Sequence, residues 1–549
     1  MEPMLPSQRG RSDSALRSER SCVLARRGMV CASVPLAAAA GVEMLRRGGN
    51  AVDAAIAAAA ALCVVEPMQT GLGGDAFALL WSQRERRLVG LNGSGRSPAA
   101  ATLEAYRARG LERMPPHGIL SVTVPGALHA WESLSRRFGR LPLGQVLEPA
   151  IRAASDGFAV SELVAHYWFL LHAGGALRNE AARASFAPGG RTPAAGSWQR
   201  SPGLARSLRA VAEGGAAAFY QGPLAEEILA AVRREGGLLA AEDLAAHASS
   251  WVEPLRTTYR GVTVAELPPN GQGVTALLAL NLLATLDPAQ APPDSALDWH
   301  RRIEAAKLAF AERDAHVADP EHVTVPLERM LDPAFARERA RGIAERAQDG
   351  LVSGIARGDT TTVCAADAEG NLVSLIQSLF GGFGSGSACG ESGILLQNRG
   401  AGFRLEPGHP NALAPRKRPL HTILPGMLLR EGVPWMAFGI MGGDVQPQAH
   451  LAFVSNLVDF GLNPQEALDR PRFRWLAGTQ VEIETPDAPV REGGSLEAAL
   501  AARGHTVLRP PGVMADRFGG GQAVAREADG TLVGASDRRK DGCALGLWE

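Results

Sequence analysis

The chain has 549 residues, 46% hydrophobic and 21% charged, an ordinary balance for a soluble globular protein with room for a large core. Its 56 basic residues offset 57 acidic ones, so no whole-protein field draws it to nucleic acid or to an anionic membrane. Aromatics at 5% are too sparse for a base-stacking surface.

Residues 1–27 are polar and arginine-rich with no apolar signal core, and read as a flexible N-terminal tail. The longest apolar stretch, around Ala54–Val65, is mostly alanine and too short to span a bilayer. A cytoplasmic location is the expectation. Cys22, Cys31, Cys63, Cys364, Cys389 and Cys543 show no CxxC pair and no metal-ligand spacing, and read as incidental or buried thiols.

In chain order, Gly28–Ser33 predicts a short strand and Pro35–Arg47 a helix stopped by Gly48-Gly49. Asn50-Ala51-Val52-Asp53 opens an alanine-rich helix ending near Glu66-Pro67. A glycine turn, Gly71-Leu72-Gly73-Gly74-Asp75, leads to strands at Ala76–Trp81 and Leu88–Leu91. From Pro125 to about Leu308 the chain reads as mainly helical, with a long helix over Ser295–His316, and residues 327–357 read as charged helix. At Gly358-Asp359 the character changes. Thr360–Ala366 and Asn371–Leu379 predict two strands joined by a turn at Asp367–Gly370.

Three features could carry chemistry. The glycine clusters Gly71–Gly74 and Gly381–Gly386 lack the Lys-Ser/Thr of a phosphate loop and the strand–helix context of a dinucleotide site, so they read as turns and close packing. Among 12 histidines, His117, His129, His166 and His172 are not spaced as ligands, and the i,i+4 pair His300/Glu304 supplies two ligands where a site needs more. Neither metal nor cofactor is expected. The third feature is Asp359-Thr360-Thr361-Thr362. A threonine freed at its amine by cleavage before Thr360 gains an internal base with a pKa of about 7.7–8.0 and becomes nucleophile and base together. Alone, the triple threonine is only β-propensity.

Its surroundings add the signal. Gly48-Gly49-Asn50-Ala51-Val52-Asp53, Val65-Glu66-Pro67, Gly71–Gly74, Val124-Pro125-Gly126 and Pro269-Asn270-Gly271 occur in order before Asp359-Thr360-Thr361. Phe383-Gly384-Ser385-Gly386, Gly390-Glu391-Ser392-Gly393 and Arg416-Lys417-Arg418-Pro419-Leu420 follow it. Together they closely resemble the gamma-glutamyltransferase (glutathione hydrolase) family of N-terminal nucleophile hydrolases. The resemblance implies an α+β, four-layered αββα sandwich, autoprocessed between Asp359 and Thr360 into a large chain 28–359 (behind the 1–27 tail) and a small chain 360–549. The two chains would form one intertwined catalytic domain. Thr360 would be the nucleophile, Ser378 the hydroxyl that positions it, and Gly442 and Gly443 the oxyanion hole. The acyl group would pass from a small-molecule amide to water or an amine.

The substrate pocket departs from the family. Ser94 fills the position of the arginine that holds a substrate carboxylate, with Arg96 two residues on as a substitute. The family's acidic residue for an α-ammonium falls at Gly402. Arg399 replaces a glutamine, and His421-Thr422 replace paired serines. These changes resemble the branch that includes oxamate amidohydrolases, in which Arg399 would pair with the carboxylate of a small acid amide such as oxamate. Arg399 is expected to act on substrate and not on the self-cleavage. A glutathione hydrolase or transpeptidase with a rebuilt pocket, an uncleaved binding protein, and a homodimer of αβ units all stay open.

Overall fold

Along Leu372–Phe380 successive apolar residues face opposite ways: Leu372 and Ile376 enter one cluster, Val373, Leu375 and Leu379 another. Such a strand must be covered on both faces. The computed structural model, which describes residues 18, 20–351, 358–509 and 515–549, puts it within a seven-stranded antiparallel sheet. Across that sheet the order is Cys543–Leu547, Gly28–Ala32, Asp359–Asp367, Leu372–Phe380, Asp75–Ser82, Arg87–Asn92 and Ser250–Val252. A second seven-stranded sheet runs Val23–Ala25, Leu532–Ser536, Gly521–Arg526, Val433–Ile440, Pro425–Arg430, Val262–Glu266 and Leu255–Tyr259.

Met29, Phe77, Cys364 and Ile376 of the first sheet meet Ala265, Met427, Ala437 and Val524 of the second in a shared apolar layer. Helices Pro35–Arg46, Ala51–Val65 and Ala127–Phe138 cover the outer face of the first sheet, and Leu143–Asp156 packs outside Ala51–Val65. Gly273–Ala284 and Val445–Val458, with Ala296–His316 beside them, cover that of the second. The result is the four-layered αββα sandwich that the resemblance implied.

Every residue of Ala51–Val65 is buried, so its alanine run is a packing device. Small side chains let the neighbouring helix approach until a Cβ on Gly41 would lie 2.8 Å from the Ala54 carbonyl oxygen. The helix start is held by a reciprocal cap: Asn50 Oδ1 accepts from the Val52 and Asp53 N–H groups, and Asp53 accepts from the Asn50 N–H at 2.9 Å.

Three expectations change. Val23–Ala25 pairs with Leu532–Ser536, so ordered chain begins before Gly28; residues 1–17 and 19 of the expected tail lie outside the described residues. The interval read as mainly helical contains strands Ser250–Val252, Leu255–Tyr259 and Val262–Glu266. The last two form a hairpin turning at Arg260 and Gly261, whose φ values are 48° and 87°. Their Thr, Tyr and Val residues suit a pleated surface, and they complete one edge of the second sheet. In the charged stretch only Leu327–Leu331 and Pro333–Ala340 are helical, and residues 352–357 lie outside the described residues.

The Asn92–Arg96 loop interlocks with Val124-Pro125-Gly126. A Cβ on Gly95 would stand 1.5 Å from the Val124 carbonyl oxygen, and one on Gly126 1.8 Å from that of Gly93. Gly95→Ala must part the two loops, and overpacking of this kind costs about 1–3 kcal/mol. Scanning calorimetry is expected to show a lower midpoint; an unchanged one would mean the loops separate freely.

Candidate active site

Asp359 pairs with Phe380 and Thr361 with Gln377, so the register shifts at Thr360. Such an irregularity re-aims a side chain at the end of a ladder. Thr360 is buried, with Oγ1 3.3 Å from Ser378 Oγ. The Ser378 hydroxyl donates to the Asp359 carbonyl oxygen at 2.6 Å and accepts from the Phe380 N–H at 2.8 Å. The Gly73-Gly74 turn packs here without side chains: a Cβ on Gly74 would lie 2.5 Å from the Ser378 carbonyl oxygen.

Gly442 and Gly443 follow the strand Val433–Ile440 and lead into the helix Val445–Val458, with φ values of 125° and 62° that favour glycine. A Cβ on Gly358 would lie 3.1 Å from Gly443 Cα, which sets this pair beside the Asp359–Thr360 bond. Among the described residues neither glycine N–H has a partner. The segment is braced from behind. Gln272 Nε2 donates to the carbonyl oxygens of Gly443 at 3.3 Å and Thr422 at 2.9 Å. Arg313 donates to Gln272 Oε1 at 2.7 Å and to Asp444 Oδ1 at 2.5 Å.

Arg399 is fully buried over the Phe380 ring, 4.1 Å from its centroid. Nη1 donates to Thr422 Oγ1 at 2.8 Å and Nη2 to Ser378 Oγ at 3.2 Å, while Nε has no partner among the described residues. Burial pulls its pKa down to about 9, against the pull of Asp75 and Asp444, so the guanidinium stays charged at neutral pH. Asp75 is buried as well. It accepts from His421 Nε2 at 3.0 Å, Gln397 Nε2 at 3.0 Å and the Gly95 N–H at 3.2 Å. Burial raises its pKa to about 7, opposed first by Arg399. Burial, then Arg399, push His421 well below its ordinary value, so its ring is neutral with the proton on Nε2 toward Asp75.

In front of this buried layer lies a cavity of about 410 Å³, whose wall includes Phe380, Asn398, Gly402, Thr422, Arg313 and Asp444. The structure thus gathers Asp359, Thr360, Ser378, Arg399, Thr422 and the Gly442-Gly443 pair. His421 stands behind them through Asp75. Ser94 is buried in its loop, where its Oγ accepts from Asn270 Nδ2 at 3.0 Å. Neither Arg399 nor Arg96, the proposed substitute, lines the cavity: Arg399 lies behind Phe380 and Thr422, which do, whereas Arg96 pairs with Glu321 at 2.6 Å and Asp319 at 3.7 Å. Asp75, Gln272, Arg313 and Asp444 were missed. Only their adjacency to glycine turns (Gly74-Asp75, Gly271-Gln272, Gly443-Asp444) could have singled out three of them.

The fold brings a third residue, His505, to His300 and Glu304. His300 Nδ1 and His505 Nε2 are hydrogen-bonded at 2.8 Å, His300 Nε2 bonds the Ala344 carbonyl oxygen at 2.8 Å, and Glu304 Oε1 accepts from Lys307 at 2.8 Å. The two histidines thus engage each other, while Glu304 is held by Lys307 and the Gln348 N–H; His505 Nδ1 has no partner among the described residues.

A threonine opening a strand between two helix-covered sheets, next to a hydroxyl and a glycine pair, defines the N-terminal nucleophile class of hydrolases. The chain belongs to the gamma-glutamyltranspeptidase family, which it matches over residues 37–547, and it is an enzyme of that family. It is 37% identical to the glutathione hydrolase-like YwrD proenzyme of Bacillus subtilis, over 96% of this chain and 99% of that one. It is 36% identical to the oxamate amidohydrolase proenzyme of Klebsiella pneumoniae, over 94% and 98%. The crystal structure of cephalosporin acylase from Bacillus halodurans superposes with a TM-score of 0.91 at 43% identity, covering 98% and 99%. The oxamate enzyme is therefore one relative among several at similar identity, and the family does not by itself name the substrate.

Asp75 yields a test. With its pKa raised from 3.8 to about 7, it supports the fold while protonated. That contribution is complete below about pH 4 and lost as pH rises through about 7. Asp75→Asn, neutral throughout, is expected to gain on the wild type in Tm across that window and to hold level above it. Parallel Tm–pH profiles would show that Asp75 ionises at ordinary pH.

Proposed function

We propose that the chain cuts itself between Asp359 and Thr360, and that the freed Thr360 hydrolyses amides whose acyl half carries a carboxylate but no α-ammonium. The carrying observation is Arg399: a buried cation with no ion pair among the described residues and an unpartnered Nε, one hydroxyl away from Thr360. Burying a cation without a contacting anion costs several kcal/mol. A substrate carboxylate seated in the cavity against Thr422 and Phe380, directly in front of the guanidinium, would supply that anion.

The chemistry follows from the neighbours. The α-amine of the freed Thr360 takes the proton of its own hydroxyl as Oγ attacks the amide carbon. The N–H groups of Gly442 and Gly443 are the donors available to the oxyanion, each such donor being worth about 3–4 kcal/mol. The amine leaves with a proton, and water releases the acyl group from Thr360 Oγ.

A glutamyl head fits less well. Gly402 on the cavity wall carries no charge, and the carboxylates that do line the cavity, Asp314 and Asp444, are both held by Arg313. An ammonium in the cavity would feel the charge of Arg399 from behind Phe380 and Thr422, with no unengaged counter-charge among these residues. The volume of about 410 Å³ is that of sites for drug-sized ligands, more than oxamate fills. This favours a longer dicarboxylic monoamide over oxamate, and the names of two relatives, an oxamate amidohydrolase and a cephalosporin acylase, bracket the range.

Purified protein is expected to run as two fragments on a denaturing gel, the smaller beginning Thr-Thr-Thr-Val. Thr360→Ala should stay intact and inactive, and Thr360→Ser should keep part of both activities. A wild type that remains one band after long incubation removes the reading. Specificity is tested with glutaryl and γ-glutamyl p-nitroanilides, which differ by one ammonium. A kcat/KM at least about tenfold higher for the glutaryl compound, about 1.4 kcal/mol, is expected. Equal or reversed preference would overturn the carboxylate-only assignment, and turnover of oxamate measured alongside sets the lower size limit.

A further inference from the structure

The hydrogen bonds around Ser378 leave its hydroxyl proton one destination. The Phe380 N–H at 2.8 Å and Arg399 Nη2 at 3.2 Å are both donors and can only give to Ser378 Oγ. Thr360 Oγ1, the most distant at 3.3 Å, is also oriented as a donor and shares the two lone pairs with them. The acceptor that remains is the Asp359 carbonyl oxygen, 2.6 Å away. In the continuous chain, then, a hydroxyl loaded from behind by a guanidinium points at the carbonyl oxygen of the Asp359–Thr360 peptide.

That oxygen takes the negative charge if Thr360 Oγ adds to the Asp359 carbonyl carbon. Arg399 cannot turn away, because Thr422 Oγ1 holds Nη1 at 2.8 Å and the Phe380 ring lies under it. A donor fixed before the charge develops needs no reorganisation when it forms, which is the condition for strong oxyanion stabilisation.

We infer that Arg399 is a positioning residue for the self-cleavage, acting through Ser378 on the oxyanion at Asp359, in addition to any part in binding substrate. The inference rests on the cleavage site proposed above. In the step, the bond from Thr360 Oγ to the Asp359 carbonyl carbon forms and the Oγ proton passes to the Thr360 nitrogen. The C–N bond then breaks, leaving the Asp359 acyl group as an ester on Thr360. Water hydrolyses that ester to the Asp359 carboxylate and a Thr360 with free hydroxyl and amine. No oxidant, reductant or cofactor enters. The sequence reading had confined Arg399 to substrate recognition; its contact with Ser378 gives it a role before any substrate arrives.

The test follows conversion of freshly translated full-length chain into its two fragments on denaturing gels, with circular dichroism to confirm folding. Removing one oxyanion donor costs about 10²–10³ in rate. Arg399, one atom further back, is expected to matter by about tenfold or more in Arg399→Met, with Arg399→Lys in between. Guanidinium ion at millimolar concentration should speed cleavage of Arg399→Met and leave Thr360→Ala intact. A folded Arg399→Met that converts at the wild-type rate overturns the proposal, even if it has lost turnover of a carboxylate-bearing amide. Slow cleavage that neither lysine nor guanidinium improves also overturns it, leaving Arg399 a packing role. If Arg399→Met does not fold, wild-type conversion in Arg399→Lys together with no response to added guanidinium has the same force. A wild type that never converts defeats the cleavage site itself, which separates that failure from this one.

Discussion

Asp359–Asp367 is hydrogen-bonded along one edge to Leu372–Phe380 and, from Cys364 onward, along the other to Gly28–Ala32. A strand paired on both sides and buried on both faces cannot slip by one residue without reversing every side chain. Its register therefore places Thr360 opposite Ser378 with little freedom. The shift between Asp359 and Thr361 loosens the ladder at one position and leaves Thr360 beside a hydroxyl rather than locked into a regular pair. The cavity, the glycine pair and the buried charges are arranged around that end of the strand.

Charge in the site is arranged in layers. Arg399 stands directly behind Ser378, Asp75 influences it from farther back, and His421 and Gln397 occupy the Asp75 oxygens. Burial pushes Arg399 and Asp75 each toward neutrality, and their mutual attraction opposes that push. The outcome is a cation held in low-dielectric surroundings with donor capacity to spare. Such a group acts strongly on whatever anion forms near it, whether a carboxylate that arrives or an oxyanion that develops.

Both sheets interleave strands from before and after Thr360. Gly28–Ala32, Asp75–Ser82 and Arg87–Asn92 flank the two strands around the site in the first, and Val262–Glu266 pairs with Pro425–Arg430 in the second. A cut at Thr360 would leave the two fragments bound through two sheets and the apolar layer between them. Gln272 and Arg313, from before the cut, would still brace Gly443 and Asp444 from after it.

Much was legible without coordinates. The order of short motifs pointed to the family and hence to the layered fold, because turns such as Gly73-Gly74 and caps such as Asn50/Asp53 are local requirements that a sequence must spell out. The same route singled out Thr360, Ser378 and the glycine pair, which the fold brings together. The hairpin at residues 255–266 was lost in a helical stretch, since its place in the sheet depends on pairing with Pro425–Arg430, far along the chain. Arg96 was a reasonable substitute by spacing alone, but Glu321 and Asp319 claim it. What the sequence by itself determined was the family and the residue types that stand at Thr360, Ser378, Arg399 and the Gly442-Gly443 pair. Only the tertiary structure decided that Arg399 is buried against Ser378, that Asp75 and His421 stand behind it, and that Gln272 and Arg313 brace the glycine pair. The reason is physical: the energy of a buried charge is set by burial and by partners hundreds of residues away, and neither is written in local sequence.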